Sequence, residues 1–285
     1  MPPFPEPTYS RGLVWFRRDL RAHDQAALYH ALTRCEQVFC AFVFDKDILD
    51  ALPRADRRVE FIRESLVELD DSLRALSPQG RGGLIVWHAV ASDAIPALAN
   101  ALDAQAVFAN HDDEPQALDR DRLVRTRLAA AGKAFHTFKD HTLLERSEVL
   151  TQTGNPYSVF TPYKNAWLKK IDVFQLKSYP VERHAHHLAA RPEAHCQPVP
   201  TLQDLGFEPT ALSQLRLPTG AQGAQQLFDD FLGRIERYED TRNFPAVKGP
   251  SYLSVHLRFG TISPRLLART AHRLMLEGNP GATTW

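Results

Sequence analysis

The stretch GLVWFRRDL, residues 12–20, joins a buried strand to a charged end. Residues 13–16 are all apolar or aromatic and predict a strand, and Arg17, Arg18 and Asp19 follow at once. A near-continuous apolar run is typical of a strand that is covered on both faces of a parallel sheet. Charges after such a strand lie at the edge where parallel α/β sheets bind their ligands. The stretch therefore predicts a fold class and an edge at which to look for function.

Four further apolar runs alternate with helical patterns in the same half of the chain. The predicted strands are 13–16, 38–44, 84–88, 106–110 and 134–138, and the predicted helices are 26–34, 55–76, 92–102 (with Ser92 as N-cap) and 115–131. This alternation predicts an α/β fold with a five-stranded, parallel, doubly wound sheet. The polar residues 110–113 then share the carboxyl edge with residues 17–19. The glycine-rich GRGG at 80–83 precedes a strand instead of following one, so no dinucleotide-binding fingerprint is present.

Composition narrows the class of protein. The 285 residues include 34 Lys and Arg and 34 Asp and Glu, so a globally basic nucleic-acid-binding protein is excluded, although a local basic patch is not. The N-terminal MPPFPEPTYS lacks the basic and apolar regions of a signal peptide, and no apolar run is long enough to span a membrane. Three cysteines fit a reducing cytoplasm. Cys35 and Cys40 are predicted to be buried thiols flanking a strand rather than a metal pair.

Residues 141–215 lose periodicity and are rich in proline, which predicts a long connector on the surface. The stretch 184–196 contains four histidines and Cys196. Its Ala-, Pro- and Arg-rich composition favours a solvated linker over a metal site, which would need ligands on a rigid element. We therefore predict no metal.

Helical patterns return after Gly220. They predict a helix over 224–238 and a second helix that begins with Ser263 as N-cap and Pro264 at its first position. Residues 234–273 carry eight basic and three acidic side chains with interleaved aromatic residues. This pattern suits a phosphate backbone or a flat cofactor, and it fits a solvated helical face equally well. In KGPSYLSVHL, residues 248–257, the two serines indicate either an anion cradle or ordinary N-capping.

Three longer stretches resemble signature sequences of the DNA photolyase/cryptochrome family. They are LVWFRRDLRAHDQAAL at 13–28, NPYSVFTPYKNAWLKK at 155–170 and YEDTRNFPAVKGPSYLSVHLRFGTISPR at 238–265. The resemblance is closest to bacterial cyclobutane pyrimidine dimer photolyases. It implies an α/β antenna domain at 1–140, a connector at 141–215 and the beginning of an all-α FAD-binding domain at 216–285. Because the family's later helical stretches are not present, it also implies that this chain is a fragment.

The resemblance assigns roles to individual residues. Positions that match FAD contacts are Tyr238, Ser251, Tyr252, Leu253, Ser254 and Trp285, and Pro250 departs from the family pattern. Arg242 matches a contact to the lesion strand of DNA, and Asn110 and His111 match the segment that holds the antenna chromophore. For Arg17, Arg18, Asp19 and Arg21, ion pairs at the domain interface are favoured over direct chromophore contact. No catalytic side chain is expected in this chain, because the flavin carries the chemistry.

The resemblance also implies cofactors and partners. FAD and an antenna chromophore are expected, with 5,10-methenyltetrahydrofolate favoured over 8-hydroxydeazaflavin. The expected activity is light-driven repair of pyrimidine dimers in UV-damaged DNA by a cytoplasmic monomer. Two alternatives stay open: a cryptochrome-type photoreceptor, and a non-catalytic antenna or nucleotide-binding module.

Overall fold

The computed structural model describes residues 8–215 and 217–285. Most of the N-terminal stretch on which the signal-peptide prediction depends lies outside these residues. The first ten elements alternate between strand and helix. In chain order they are β1 (Tyr9–Phe16), α1 (Ala26–Arg34), β2 (Cys35–Asp45), α2 (Lys46–Leu49), α3 (Arg57–Leu76), β3 (Leu84–Ala89), α4 (Ala91–Ala101), β4 (Ala106–Asn110), α5 (Pro115–Ala130) and β5 (Ala134–Phe138).

The strands form one parallel sheet in the order β3-β2-β1-β4-β5, which confirms the predicted fold class. Helices α1 and α3 pack on one face of the sheet, and α4 and α5 pack on the other. Every residue of β1 from Gly12 to Phe16 is buried, because neighbouring strands and both helix layers cover it. The chain reverses its direction of strand addition between β1 and β4, and α/β sheets bind ligands at such a point.

Local capping explains where the helices begin. Gln25 accepts a hydrogen bond from the amide of Leu28 and caps α1, and Asp56 caps α3 in the same way. The predicted N-cap Ser92 is wrong, because α4 begins one residue earlier with Val90 at the cap position. Instead, the carboxylate of Asp45, at the end of β2, accepts a hydrogen bond from the amide of Ala91 at 3.1 Å. A cap supplied by another element leaves no signal in the local sequence.

The segment between the sheet and the C-terminal helices wraps the sheet. It contains α6 (Phe160–Lys170), which the sequence analysis did not predict, and 3-10 turns at Arg146–Glu148, Val181–His187, Glu193–His195 and Leu212–Gln214. The amide of Ala189 donates to the Val38 carbonyl at 2.9 Å. Leu188 thereby forms a parallel bridge with Val38 of β2, next to the residues of β2 that pair with β3. The buried guanidinium of Arg191 donates to the Leu84 carbonyl at 2.9 Å and pairs with Asp70. These contacts hold the segment against β2, β3 and α3.

The C-terminal segment is helical. Its elements are α7 (Gly220–Leu232), a 3-10 turn (Ile235–Arg237), α8 (Tyr238–Thr241), α9 (Ser254–Phe259), α10 (Pro264–Leu276) and α11 (Pro280–Thr284). The predicted helix over 224–238 is therefore wrong at both ends, since α7 begins earlier and stops at Gly233. Ser263 and Pro264 begin α10 as predicted. A small core that includes Phe228, Phe231 and Leu253 holds these helices together.

The thiols of Cys35 and Cys40 are free and buried, as predicted. Burial raises the pKa of Cys35 to about 12 and also raises that of Cys40, so both stay protonated at neutral pH. Within the described ranges, no helix is long and apolar enough to cross a membrane.

The turn after α9 joins the helices to the sheet at very close range. The amide of Leu20 donates to the Phe259 carbonyl at 3.0 Å. Gly260 follows with φ of +63°, and a Cβ at this position would lie 2.1 Å from the Arg18 carbonyl oxygen. Only glycine combines this backbone conformation with so close an approach.

We expect Gly260→Ala to destabilise the chain by more than about 3 kcal/mol, because it adds a backbone clash to the cost of a positive φ. Gly278→Ala is the matched control, since Gly278 has φ of +86° and open space around its Cβ position. The control should cost about 1 kcal/mol. Urea unfolding measures both, and equal losses would contradict the close-approach argument.

A candidate ligand cleft at the carboxyl edge of the sheet

A cleft of about 630 Å³ opens at the carboxyl ends of β1 and β2. The sheet and α3 form one wall, and α9 of the C-terminal segment forms the opposite wall. The part of the chain that connects the sheet to the C-terminal helices contributes Leu212, Leu215 and Leu217. The cleft therefore lies where the sequence predicted a functional edge, although its three-sided enclosure could not be foreseen.

The interior of the cleft is aromatic and apolar. Phe42 and Phe44 of β2 contribute to it, together with Phe61 of α3 and Phe259 of α9. The rings of Phe61 and Phe259 lie 5.5 Å apart across the two walls. Such a lining binds flat conjugated molecules, because their faces replace water on the aromatic rings.

Trp15, at the end of β1, is also part of the lining. The guanidinium of Arg17 lies 4.6 Å from the centre of its ring and that of Arg120 lies 5.5 Å away. Arg120 pairs with Asp45 at 3.2 Å, but its Nε is buried and has no hydrogen-bond partner among the described residues. A buried donor without an acceptor is costly, and a ligand with a carbonyl or anionic oxygen would satisfy it.

Charged side chains surround the mouth of the cleft. Arg18 pairs with Asp112 at 3.1 Å and with Glu114 at 3.0 Å, and Arg258 of α9 shares Glu114 from the other wall. Arg57 and Arg58 at the start of α3 line the same opening. The mouth thus carries more basic than acidic side chains. An aromatic interior beneath such a mouth suits a flat heteroaromatic ligand with an anionic tail.

Next to the cleft, a buried ion cluster joins the C-terminal helices to the sheet. We define it as Arg21, Asp24, Asp140, Ser263 and Arg265. One Asp140 oxygen accepts from Arg21 and the other from Arg265, both at 2.7 Å. Arg265 also donates to Asp24 at 2.8 Å, and Ser263 donates to the same carboxylate at 2.6 Å.

The charges of this cluster compensate one another. Asp140 has no exposed surface. Burial raises the pKa of its carboxyl group, but the two adjacent guanidinium groups outweigh burial and hold the pKa below its usual value. Asp140 therefore stays ionised in the folded chain, between Arg21 and Arg265.

Of the four charged residues predicted to form ion pairs at an interface, Arg18 and Arg21 contact the C-terminal helices. Arg21 donates to the Gly260 carbonyl at 3.0 Å, and Arg18 Nε donates to the Arg258 carbonyl at 3.2 Å. Arg17 instead pairs with Asp121 on the sheet side. Asp19 is buried and accepts from Gln25 and Asn110, so it organises the strand end internally.

Asn110 and His111, the predicted antenna residues, have other partners and do not line the cleft. Asn110 Nδ2 donates to Asp19 at 2.6 Å, and its oxygen accepts from the Ala27 amide at 3.0 Å. His111 lies 2.7 Å from Glu145 and 3.1 Å from the Thr137 hydroxyl. Their antenna role stays a prediction. The residues that line the cleft, such as Trp15 and Arg120, were missed because they come from separate elements.

The predicted FAD residues belong to the C-terminal segment. Tyr238 and Trp285 pack on Phe231, with ring centres 5.7 and 4.9 Å apart, and Leu253 is buried in the same core. The hydroxyls of Ser251 and Ser254 have no hydrogen-bond partner in the described part of the chain. Tyr252 is exposed and holds φ of +59°. Arg242, the predicted DNA contact, is exposed with its guanidinium 6.0 Å from the Tyr238 ring.

Most of the basic charge counted between residues 234 and 273 is neutralised. Five of the eight basic side chains pair with carboxylates: Arg234 and Lys248 with Asp230, Arg258 with Glu114, Arg265 with Asp24 and Asp140, and Arg273 with Glu277. All five of these acidic residues lie outside the counted stretch, and three of them are in the N-terminal half. A linear charge count therefore overstated the patch.

The histidines of 184–196 do not converge. His184 packs against Tyr29, His186 against His187, and His195 against Trp87. Across residues 8–215 and 217–285, no three His, Cys, Asp or Glu side chains are placed to hold a metal ion.

Comparison with known proteins identifies relatives of the whole chain. Residues 12–190 match the family model of DNA photolyase. The deoxyribodipyrimidine photo-lyase of Halobacterium salinarum is 37% identical over 91% of this chain and 54% of its own length. An uncharacterised 31.6 kDa protein of Synechococcus sp. (strain PCC 6716) is 33% identical over 98% of this chain and 96% of its own length.

A solved relative has the same fold. The crystal structure of a class III photolyase from Agrobacterium tumefaciens matches with a TM-score of 0.78 at 26% identity, over 94% of this chain and 54% of that chain. This chain thus spans about half the length of the photo-lyases it matches.

We expect Asp140→Asn to destabilise the chain by about 3 to 5 kcal/mol, because it leaves two buried guanidinium groups without their shared carboxylate. Glu277→Gln, which breaks the exposed pair with Arg273, should change stability by less than about 0.5 kcal/mol. Urea unfolding at neutral pH compares them, and similar losses would show that the ion cluster contributes no more than a surface pair.

His256 in α9 makes stability depend on pH. It has no exposed surface, and burial lowers its pKa to about 4, whereas the unfolded value is about 6.5. The unfolded chain therefore binds one more proton than the folded chain between these values. This contribution to stability is complete above pH 6.5 and is lost at about 1.4 kcal/mol per pH unit as the pH falls towards 4.

We expect His256→Gln to reduce the acid-side slope of unfolding free energy against pH by about one proton. The exposed His272→Gln is the control and should leave the slope unchanged. Urea titrations between pH 4.5 and 6.5, chosen from these pKa limits, provide the measurement. An unchanged slope in the His256 variant would show that its imidazole protonates without opposing the fold.

Proposed function

The chain belongs to the DNA photolyase family, and from that membership we propose that it serves light-driven repair of cyclobutane pyrimidine dimers in DNA. The curated relatives named deoxyribodipyrimidine photo-lyase support this proposal. The chain spans about half of their length. We propose that its segments correspond to different domains of the family. Residues 1–140 would form the antenna domain, 141–215 the connector, and 216–285 the first part of the FAD-binding domain. We also propose a cytoplasmic monomer.

The cleft is the observation that carries the antenna part of the proposal. Its volume of about 630 Å³ has room for a conjugated ring system, Phe42, Phe61 and Phe259 line it, and Arg120 offers a buried donor beside Trp15. Basic side chains at its mouth would hold an anionic tail. A chromophore held there would be shielded from water on three sides.

We propose this cleft as the antenna site, while the antenna role of Asn110 and His111 stays an untested prediction. The side chain of Asn110 already uses its donor and its acceptor within the protein, so little bonding capacity is left for a ligand. Folate and deazaflavin chromophores both have a flat ring with carbonyl oxygens and an extended tail. Both are therefore probes in the experiment below.

We propose that FAD binds to the residues that match the FAD contacts of the DNA photolyase/cryptochrome family. The hydroxyls of Ser251 and Ser254 are available to phosphate oxygens, and both serines lie at or just before the start of α9. Leu253 anchors the segment in the core while Tyr238 supports it from α8. When bound, FAD supplies the electron that splits the cyclobutane ring, and the protein holds the flavin and excludes water.

Arg242 is our proposed contact to UV-damaged DNA. It is one of the basic side chains in its stretch that no carboxylate neutralises within the described part of the chain. An exposed guanidinium is free to pair with a phosphate of the backbone. A dimer would have to leave the duplex stack to reach a flavin.

We expect the purified chain to bind an antenna chromophore in the cleft. Adding 5,10-methenyltetrahydrofolate or 8-hydroxydeazariboflavin should quench the fluorescence of Trp15 and give a chromophore band that stays with the protein on gel filtration. Val255→Trp, which fills the cleft from α9, should weaken binding by about tenfold or more.

Leu118→Trp is the matched control, because Leu118 is an exposed residue of α5 that does not line the cleft. Equal binding by both variants would place the chromophore elsewhere, and the absence of binding by either probe would refute the antenna proposal. A repair assay under illumination, with FAD and a dimer-containing oligonucleotide, then tests activity in the same preparation.

A further inference from the structure

We propose that α9 couples the two ligand sites: a chromophore in the cleft orders residues 251–254, and FAD on those residues strengthens chromophore binding. This inference rests on the proposed function and adds a regulatory link between its two cofactors. It follows from the position of one short helix that belongs to both sites.

Helix α9 forms a wall of the cleft along most of its length. Ser254, Val255, Arg258 and Phe259, four of its six residues, line the cavity. Ser254 is also one of the proposed FAD contacts, and Ser251 lies three residues before it in the non-helical stretch that leads into α9. The two sites therefore meet at the first residue of α9.

The C-terminal end of α9 is fixed to the sheet by three backbone carbonyls. Arg18 donates to the Arg258 carbonyl at 3.2 Å, Leu20 to the Phe259 carbonyl at 3.0 Å, and Arg21 to the Gly260 carbonyl at 3.0 Å. All three donors follow β1 directly. The position of α9 is thus set by the strand end that also forms the floor of the cleft.

The N-terminal end of α9 carries the serine segment. The Leu257 amide donates to the Leu253 carbonyl at 2.8 Å, and Leu253 is buried with 1% of its surface exposed. Between Ser251 and Leu253, Tyr252 holds a positive φ that non-glycine residues rarely adopt. Such a conformation persists only where the surroundings impose it, and here α9 provides the anchor.

These contacts define two states, one with α9 docked on the sheet and one with it released. A chromophore that touches both walls of the cleft binds the docked state more tightly, and so shifts the population towards it. Because Ser254 is the first residue of α9 and Leu253 immediately precedes it, docking of the helix also restricts residues 251–254, and FAD on these residues favours the same state. Thermodynamic linkage then makes the effect reciprocal between the two ligands.

Hydrogen–deuterium exchange of the whole chain tests the coupling without FAD. Saturating 8-hydroxydeazariboflavin or 5,10-methenyltetrahydrofolate should slow amide exchange of residues 251–259 by about fivefold or more. Residues 160–170 of α6 do not line the cleft and are the internal control. Binding that protects only residues of the sheet side overturns the coupling and leaves the antenna proposal intact.

A second comparison needs no ligand. Arg18→Ala removes one of the three bonds to α9 and should speed exchange of residues 251–254 by about fivefold. Arg122→Ala, which breaks an exposed pair with Asp119 on α5, should not. Unchanged exchange in Arg18→Ala overturns the coupling. If neither chromophore binds, the antenna proposal fails and this comparison alone decides whether α9 transmits order to the serine segment.

Discussion

The docking of the C-terminal helices depends on one buried carboxylate, that of Asp140. An isolated ionised carboxylate in the interior would be very costly, but Asp140 lies between Arg21 of the sheet side and Arg265 of α10. Arg21 and Arg265 share this carboxylate, and Arg265 also pairs with Asp24. Attachment of the helices to the sheet is therefore strongly cooperative, because removing any one of the three groups leaves an uncompensated charge. The same docking places α9 as the second wall of the nearby cleft.

The cleft itself is a consequence of sheet topology. The order β3-β2-β1-β4-β5 changes the side of strand addition at β1, and the cleft lies at the carboxyl edge beside this point, where α/β sheets bind ligands. The loops after β1 and β4 are both charged, and their side chains pair with each other and with α9 instead of projecting into solvent. Arg18 shows this most clearly, because it joins the β4 loop to the C-terminal segment while lining the cavity. The same residues thus serve cohesion between segments and recognition of a ligand.

Sequence reasoning recovered the sheet but only part of the site. Strands such as 106–110 and 134–138 were predicted to the residue, because the pattern of apolar residues in a covered parallel strand is local. The N-cap of α4 and the enclosure of the cleft were missed, since both depend on side chains that are far apart in the chain. The basic charge of residues 234–273 was overestimated for the same reason, because the carboxylate partners of Arg258 and Arg265 lie in the N-terminal half.

The ion cluster has a consequence for how the protein is made. Asp140 leaves the ribosome 125 residues before Arg265, which at about 5 to 20 residues per second corresponds to roughly 6 to 25 seconds. During that interval the sheet is complete, yet the future partner of Asp140 and Arg21 has not been synthesised. The edge that later becomes buried must stay hydrated until then, and its charged side chains favour contact with water. Around Asp140, such a nascent sheet exposes charged groups at the place where α10 later docks.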